Sequence, residues 1–156
     1  MDDKAKIQII GASIILLIFL AGFLAEPKKQ VLTYVSAFGF LSLLSLIFVI
    51  AIPLIARYSR HPIAFKALAN RRWIGIYTFF FAAIHVLLVF HFLLNWNILP
   101  TLANPNSIFL TLGSIAFLML ALMAATSNDF SVKYLGPNWK RLQLLIYPAI
   151  LLALIH

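Results

Sequence analysis

Five stretches of apolar residues, separated by short polar segments, organise the sequence. They run over residues 7–25, 31–55, 73–94, 108–125 and 142–156. A helix needs about 20 residues to cross the hydrocarbon core of a bilayer. The first four stretches come close to or exceed that length, whereas the fifth has only 15 residues. We therefore predict a single all-α domain over 1–156, an integral membrane bundle of about five transmembrane helices.

Polar and proline-containing segments mark the ends of these predicted helices. One of them, Asn95–Ser107, carries no charge and separates the third stretch from the fourth. Pro53 and Pro148 lie inside apolar stretches, where a membrane bundle tolerates proline, so we expect them to kink helices rather than end them. The first stretch is longer than the apolar region of a secretory signal and lacks its cleavage pattern, so we expect it to remain as a span.

The composition agrees with a bilayer environment, because 63% of the residues are hydrophobic and only 10% are charged. The basic residues divide unequally between the two predicted sides of the membrane. Ten fall on one side: Lys4, Lys6, Arg57, Arg60, Lys66, Arg71, Arg72, Lys133, Lys140 and Arg141. Only Lys28 and Lys29 fall on the other. Since cytoplasmic loops collect basic residues, we predict a cytoplasmic N-terminus and an external Asn95–Ser107 loop. The same rule accounts for the net charge of +8 without a nucleic-acid partner.

Several kinds of chemistry are excluded by what the sequence lacks. There is no cysteine, which excludes disulfides, thiolate catalysis and cysteine-ligated iron–sulfur clusters. Nucleotide-binding glycine motifs and a Ser-His-Asp set are absent, and four acidic residues do not build a carboxylate metal site. A flavin or nicotinamide domain would therefore belong to a separate protein.

Histidines are the remaining candidates for chemistry, and His85 and His156 lie inside predicted spans, where ionisable residues are costly. At helical rise, His85 lies roughly 20 Å from the inner boundary and His156 roughly 23 Å. Two imidazoles at similar depth on different helices are the arrangement that haem with two histidine ligands requires. A histidine that only hydrogen-bonds a neighbouring helix is the other interpretation.

The other two histidines fit this scheme less well. His91 follows His85 by six residues, which places it about 120° around the helix, so both cannot face one metal. We interpret it as an interfacial residue near the outer surface. His61 belongs to the inner loop, and we interpret it as solvated.

Several motifs between residues 52 and 156 occur together in one family of membrane proteins. They are IPLIARY at 52–58, RRWIGIY at 71–77 leading to His85, TLG at 111–113, ATS at 125–127, and LGPNWKRL at 135–142 followed by Tyr147 and His156. In their order and spacing, these motifs resemble the ferric reductase-like transmembrane family. The branch they resemble most is the MsrQ (YedZ) type, the haem-binding membrane partner of a periplasmic methionine sulfoxide reductase. The resemblance implies that His85 and His156 are axial ligands of a haem iron.

The chain departs from the family pattern at two places. The family usually has a second histidine directly after the Trp-x-x-Leu segment, where this chain has Gln143. A neutral amide is a poor ligand for ferric haem, so we expect one haem b, in the outer half of the membrane. Family members also continue past the position of His156, so either the fifth helix tilts beneath a partner or the sequence is truncated.

These observations favour a b-type haem subunit that transfers electrons within or across the membrane, in a bacterial inner membrane. Haem with two histidine ligands has no open site and carries single electrons. The donor would be a quinol or a flavin of a partner, and the acceptor a redox protein on the outer face. Gly113 is expected to leave room beside the porphyrin. The juxtamembrane basic residues could hold haem propionates, a flavin phosphate or anionic lipid, and we favour lipid. The alternative is a haem-free accessory subunit of a larger membrane complex, which Gln143 and the short fifth stretch favour.

Overall fold

The computed structural model describes residues 3–59, 61–97, 104 and 107–156, with the side chains of residues 3 and 4 excepted. Arg60 and most of the predicted outer loop Asn95–Ser107 lie outside the described residues. The described helices are α1 (Asp3–Phe23), α2 (Gln30–Ser59), α3 (Pro62–Ala69), α4 (Arg71–Leu88), a π-helical turn (Val89–Leu93), α5 (Ile108–Ala125), α6 (Asp129–Leu135), α7 (Pro137–Gln143) and α8 (Ile146–Ile155).

Four of these helical segments are long and apolar enough to cross a membrane: Ala5–Phe23, Gln30–Ser59, Arg71–Leu93 and Ile108–Ala125. They coincide with the first four apolar stretches of the sequence. Large apolar side chains such as Leu17 and Phe40 point outward, with exposed fractions of 62% and 68%. Lipid accommodates such surfaces at no cost, whereas water does not. The prediction of a helical membrane bundle is confirmed.

The chain divides into two compact units, Met1–Leu93 and Leu94–His156. The assignment of 1–156 to one domain stays a prediction.

In the first unit, α2 packs mainly against α4. The buried positions of α2 recur at intervals of three or four residues: Val35, Phe38, Ser42, Leu46, Val49, Ile52 and Ala56. This spacing keeps one stripe of the helix against its neighbour over its whole length. On α4 the buried residues include Thr78, whose carbonyl accepts a hydrogen bond from Ser42 Oγ at 3.4 Å. Small polar residues at this contact are typical of membrane helix pairs.

Pro53 lies within α2 without ending it, as expected. Proline has no N–H, so it cannot donate to the carbonyl of Val49 one turn earlier. That carbonyl accepts a hydrogen bond from Arg71 Nε at 3.0 Å instead. Arg71, the first residue of α4, thus supplies the hydrogen bond that Pro53 cannot donate to the carbonyl of Val49.

The predicted fifth span is not one continuous helix. It is divided into α7 and α8, with 3₁₀-type turns at Leu144 and Leu145 between them. Pro148 provides the physical reason, because it cannot donate to the carbonyl of Leu144, which accepts from the N–H of Tyr147 at 3.1 Å. Proline here breaks the apolar stretch near its start rather than kinking a continuous span. In this second unit α8 packs against α5 through Ile146 and Ala149.

Candidate ligand histidines

His85 is held against α2 by its imidazole ring. It lies near the C-terminal end of α4, where its side chain is partly buried. Its Nδ1 lies 2.8 Å from the carbonyl oxygen of Val35, which is buried on α2. Because a carbonyl oxygen only accepts hydrogen bonds, Nδ1 must carry the proton in this contact.

His156 makes the same contact within the second unit. It follows the last residue of α8, and its side chain is exposed. Its Nδ1 donates to the carbonyl oxygen of Phe109 on α5, also at 2.8 Å. In both predicted ligands, Nδ1 is therefore the ring nitrogen that bonds to a backbone carbonyl, although the two histidines belong to different helices and different units.

A glycine lies beneath each of these two rings. A Cβ added to Gly39 would come within 2.8 Å of His85 Nδ1, and one added to Gly113 within 2.7 Å of His156 Nδ1. Real Cβ atoms do not approach other atoms so closely. Gly113, which the sequence suggested would leave room for a porphyrin, leaves room in the structure for the ring of His156.

The protonation state of the two rings suits a metal ligand. With the proton on Nδ1, a neutral imidazole has its lone pair on Nε2, the nitrogen that can bind iron. Histidines that bind metals almost always donate their other ring N–H to a carbonyl or carboxylate, which fixes the ring and raises its basicity. The residues present therefore fit haem iron as Nε2 ligands.

The two histidines are placed in their own units, and their pairing on one iron stays a prediction. The estimate that His85 lies at a depth of roughly 20 Å assumed a continuous helix. The helix does run unbroken from Arg71 to Leu88. For His156, the break at Leu144 and Leu145 removes the continuous helix on which its depth was calculated.

The remaining histidines have other surroundings. His61 caps the N-terminus of α3, where its Nδ1 accepts a hydrogen bond from the N–H of Ile63 at 3.3 Å, and it is exposed. His91 lies in the π-helical turn, exposed, with its ring edge-on to Phe92 at a centroid distance of 4.6 Å. Within the described residues, no group of three or more histidine, aspartate and glutamate side chains could hold a metal ion.

Gln143 lies at the end of α7, and its side chain makes a hydrogen bond to another helix. Its Nε2 donates to the carbonyl of Met123 at 3.4 Å, near the end of α5. Trp139 Nε1 donates to the carbonyl of Thr126 nearby, at 2.9 Å. Carbonyls at the last turn of a helix lack helical partners. Gln143 and Trp139 therefore hold α7 against the end of α5.

Sequence reasoning identified both histidines but not the groups that hold them. Val35 and Phe109 contribute only backbone carbonyls, which any residue supplies. The glycines gave a usable signal, because small residues inside apolar spans mark places where helices approach closely.

The sequence matches known proteins over most of its length. A family profile described as "Ferric reductase like transmembrane component" matches residues 36–154. A Pectobacterium carotovorum protein named protein-methionine-sulfoxide reductase heme-binding subunit MsrQ is 29% identical over 136 residues, which cover 86% of this chain and 65% of that protein. A protein of the same name from Yersinia pseudotuberculosis is 29% identical over 145 residues, covering 92% and 68%. The chain thus spans about two thirds of the length of these relatives. No solved structure matches it significantly.

Proposed function

This chain belongs to the ferric reductase-like transmembrane component family, and from that premise we propose that it is a membrane electron-transfer subunit that binds haem b. The relatives from Pectobacterium and Yersinia are named as heme-binding subunits, which supports haem as the cofactor. The four apolar helices supply the membrane location.

One observation carries the proposal most directly. His85 and His156 both donate Nδ1–H to a backbone carbonyl at 2.8 Å. Each ring is thereby oriented with its proton on Nδ1 and its lone pair on Nε2. We propose that these two nitrogens would hold the iron of one haem in the outer half of the membrane, as the family resemblance implies.

The histidines perform a positioning task. Each donates Nδ1–H to a backbone carbonyl of a neighbouring helix, and this contact fixes the ring. A haem iron held in this way supplies reversible one-electron transfer.

The stoichiometry follows from Gln143. Its amide bonds to the carbonyl of Met123 at the end of α5 and is a poor ligand for ferric iron. We propose one haem per chain and no second haem on the inner side.

The electron route is proposed from location and family. The donor is a quinol or a flavin held by a partner protein, and the acceptor is a redox protein on the outer face of a bacterial inner membrane. Basic residues at the inner boundary, such as Arg57 and Arg141, contact anionic lipid headgroups.

Absorption spectroscopy of the purified protein tests the proposal. We expect a Soret band, sharp bands on reduction, and at most one haem per chain by the pyridine haemochrome assay. A colourless protein after expression with sufficient haem would instead support a haem-free accessory subunit, which the replacement of the family histidine by Gln143 favours. Two haems per chain would contradict the assignment made for Gln143.

A further inference from the structure

Four of the six glycines in the chain lie directly beneath a ring. The pairs are Gly11 with Tyr77, Gly22 with Tyr34, Gly39 with His85, and Gly113 with His156. In each pair, a Cβ added to the glycine would overlap the ring. At Gly75 and Gly136 the same Cβ would meet nothing within 4 Å. Ring contact is therefore a property of particular glycines rather than of glycine in general.

Each of the four rings also bonds to a carbonyl about one turn before its glycine. Tyr77 Oη donates to Gln8 at 3.2 Å and Tyr34 Oη donates to Phe19 at 3.1 Å. The two histidines donate in the same way to Val35 and Phe109. The absence of a Cβ lets a ring lie against the helix, so that its polar atom reaches the backbone.

We infer that Gly39 and Gly113 are positioning residues for the ligand histidines. Each admits an imidazole close enough to its helix for Nδ1–H to bond to the carbonyl, which fixes both the ring orientation and Nε2 as the iron-binding nitrogen. Neither glycine has a side chain that could bind the iron. This inference depends on the proposed haem function. It adds the two glycines that fix the ring orientation and the tautomer of the ligand histidines.

The consequence for a bound haem has a definite sign. A hydrogen bond from Nδ1–H to a carbonyl raises the basicity of the imidazole, and a more basic ligand favours ferric over ferrous iron. Loss of such a supporting contact typically weakens metal binding about 10- to 100-fold. Displacing either ring should therefore raise the reduction potential and speed haem loss.

The first experiment uses glycine-to-alanine variants of the full chain. Gly39→Ala and Gly113→Ala should each raise the reduction potential, increase the rate of haem transfer to apomyoglobin about 10- to 100-fold, and alter the ferric low-spin resonance spectrum. Gly75→Ala, in the same helix as His85 but facing open space, should match the wild type. Gly22→Ala displaces the ring of Tyr34, so it should lower the melting temperature while leaving the haem spectrum and potential unchanged.

The second experiment needs neither a variant nor haem. In the haem-free full chain at a pH where the imidazoles are neutral, nitrogen-15 spectra of labelled histidine report which ring nitrogen carries the proton. We expect Nδ1–H for His85 and His156. His61 should show the opposite tautomer, because its Nδ1 accepts from the N–H of Ile63.

The results of these experiments distinguish a failure of the positioning role from a failure of the proposed haem binding. A haem-loaded wild type whose potential, haem loss and resonance spectrum are unchanged by Gly39→Ala and Gly113→Ala would overturn the positioning role while leaving haem binding intact. An Nε2–H tautomer for both histidines would overturn it even if the alanine variants fail to fold. A wild type that binds no haem would overturn the proposed function, and the role of the glycines with it, whatever the tautomers.

Discussion

At the scale of single residues, the carbonyl of Val49 shows how the chain satisfies backbone groups inside an apolar bundle. Pro53 removes the N–H that this carbonyl would accept in a regular helix. Arg71 Nε occupies its place at 3.0 Å, and Val49 is almost fully buried. In hydrocarbon no water is available to take that role, so the arginine compensates for the proline.

Arg71→Met should therefore destabilise the protein by about 1 kcal/mol, within the range measured for hydrogen bonds in membrane bundles. In a Pro53→Ala background, the N–H of the new alanine can donate to Val49, so the same arginine substitution should cost much less. Thermal unfolding of the wild type, both single variants and the double variant measures this coupling. Additive effects of the two substitutions would show that the arginine does not compensate for the proline.

At the scale of helices, apolar length predicted the four long spans because each must match the bilayer thickness. The short helices α3, α6 and α7 were not predicted, and two of them, α3 and α6, begin at local side-chain caps. His61 caps α3 through the N–H of Ile63, and Asn128 Oδ1 caps α6 through the N–H of Ser131 at 2.7 Å. The fifth span was predicted as continuous because composition alone does not show where Pro148 interrupts the backbone pattern.

The candidate site was predicted by the same reasoning, and only in part. An ionisable residue in an apolar span stands out because burial in a membrane is costly, and this identified His85 and His156. The carbonyls that hold them belong to residues 50 and 47 positions earlier, on other helices. Such pairs depend on how helices are packed, and the sequence of either helix alone does not contain that information.

At the scale of the whole molecule, the distribution of basic residues predicts the orientation in the membrane. Ten of the twelve Lys and Arg residues fall on the side assigned to the cytoplasm. A phosphatase reporter inserted in the Asn95–Ser107 loop should be active, and the same reporter inserted between α3 and α4 should be inactive. An active reporter only at the second site would reverse the orientation and the outer location of the haem.

The central claim is that His85 and His156 ligate haem iron through Nε2. The absorption spectrum and haem content of His85→Ala and His156→Ala, measured beside the wild type, test it most directly. Removing either imidazole should convert a low-spin spectrum to high-spin or abolish haem binding, because one axial ligand is lost. His91→Ala, on the same helical segment but a different face, should leave the spectrum nearly unchanged. Wild-type spectra and haem content in both of the first two variants would contradict the assignment.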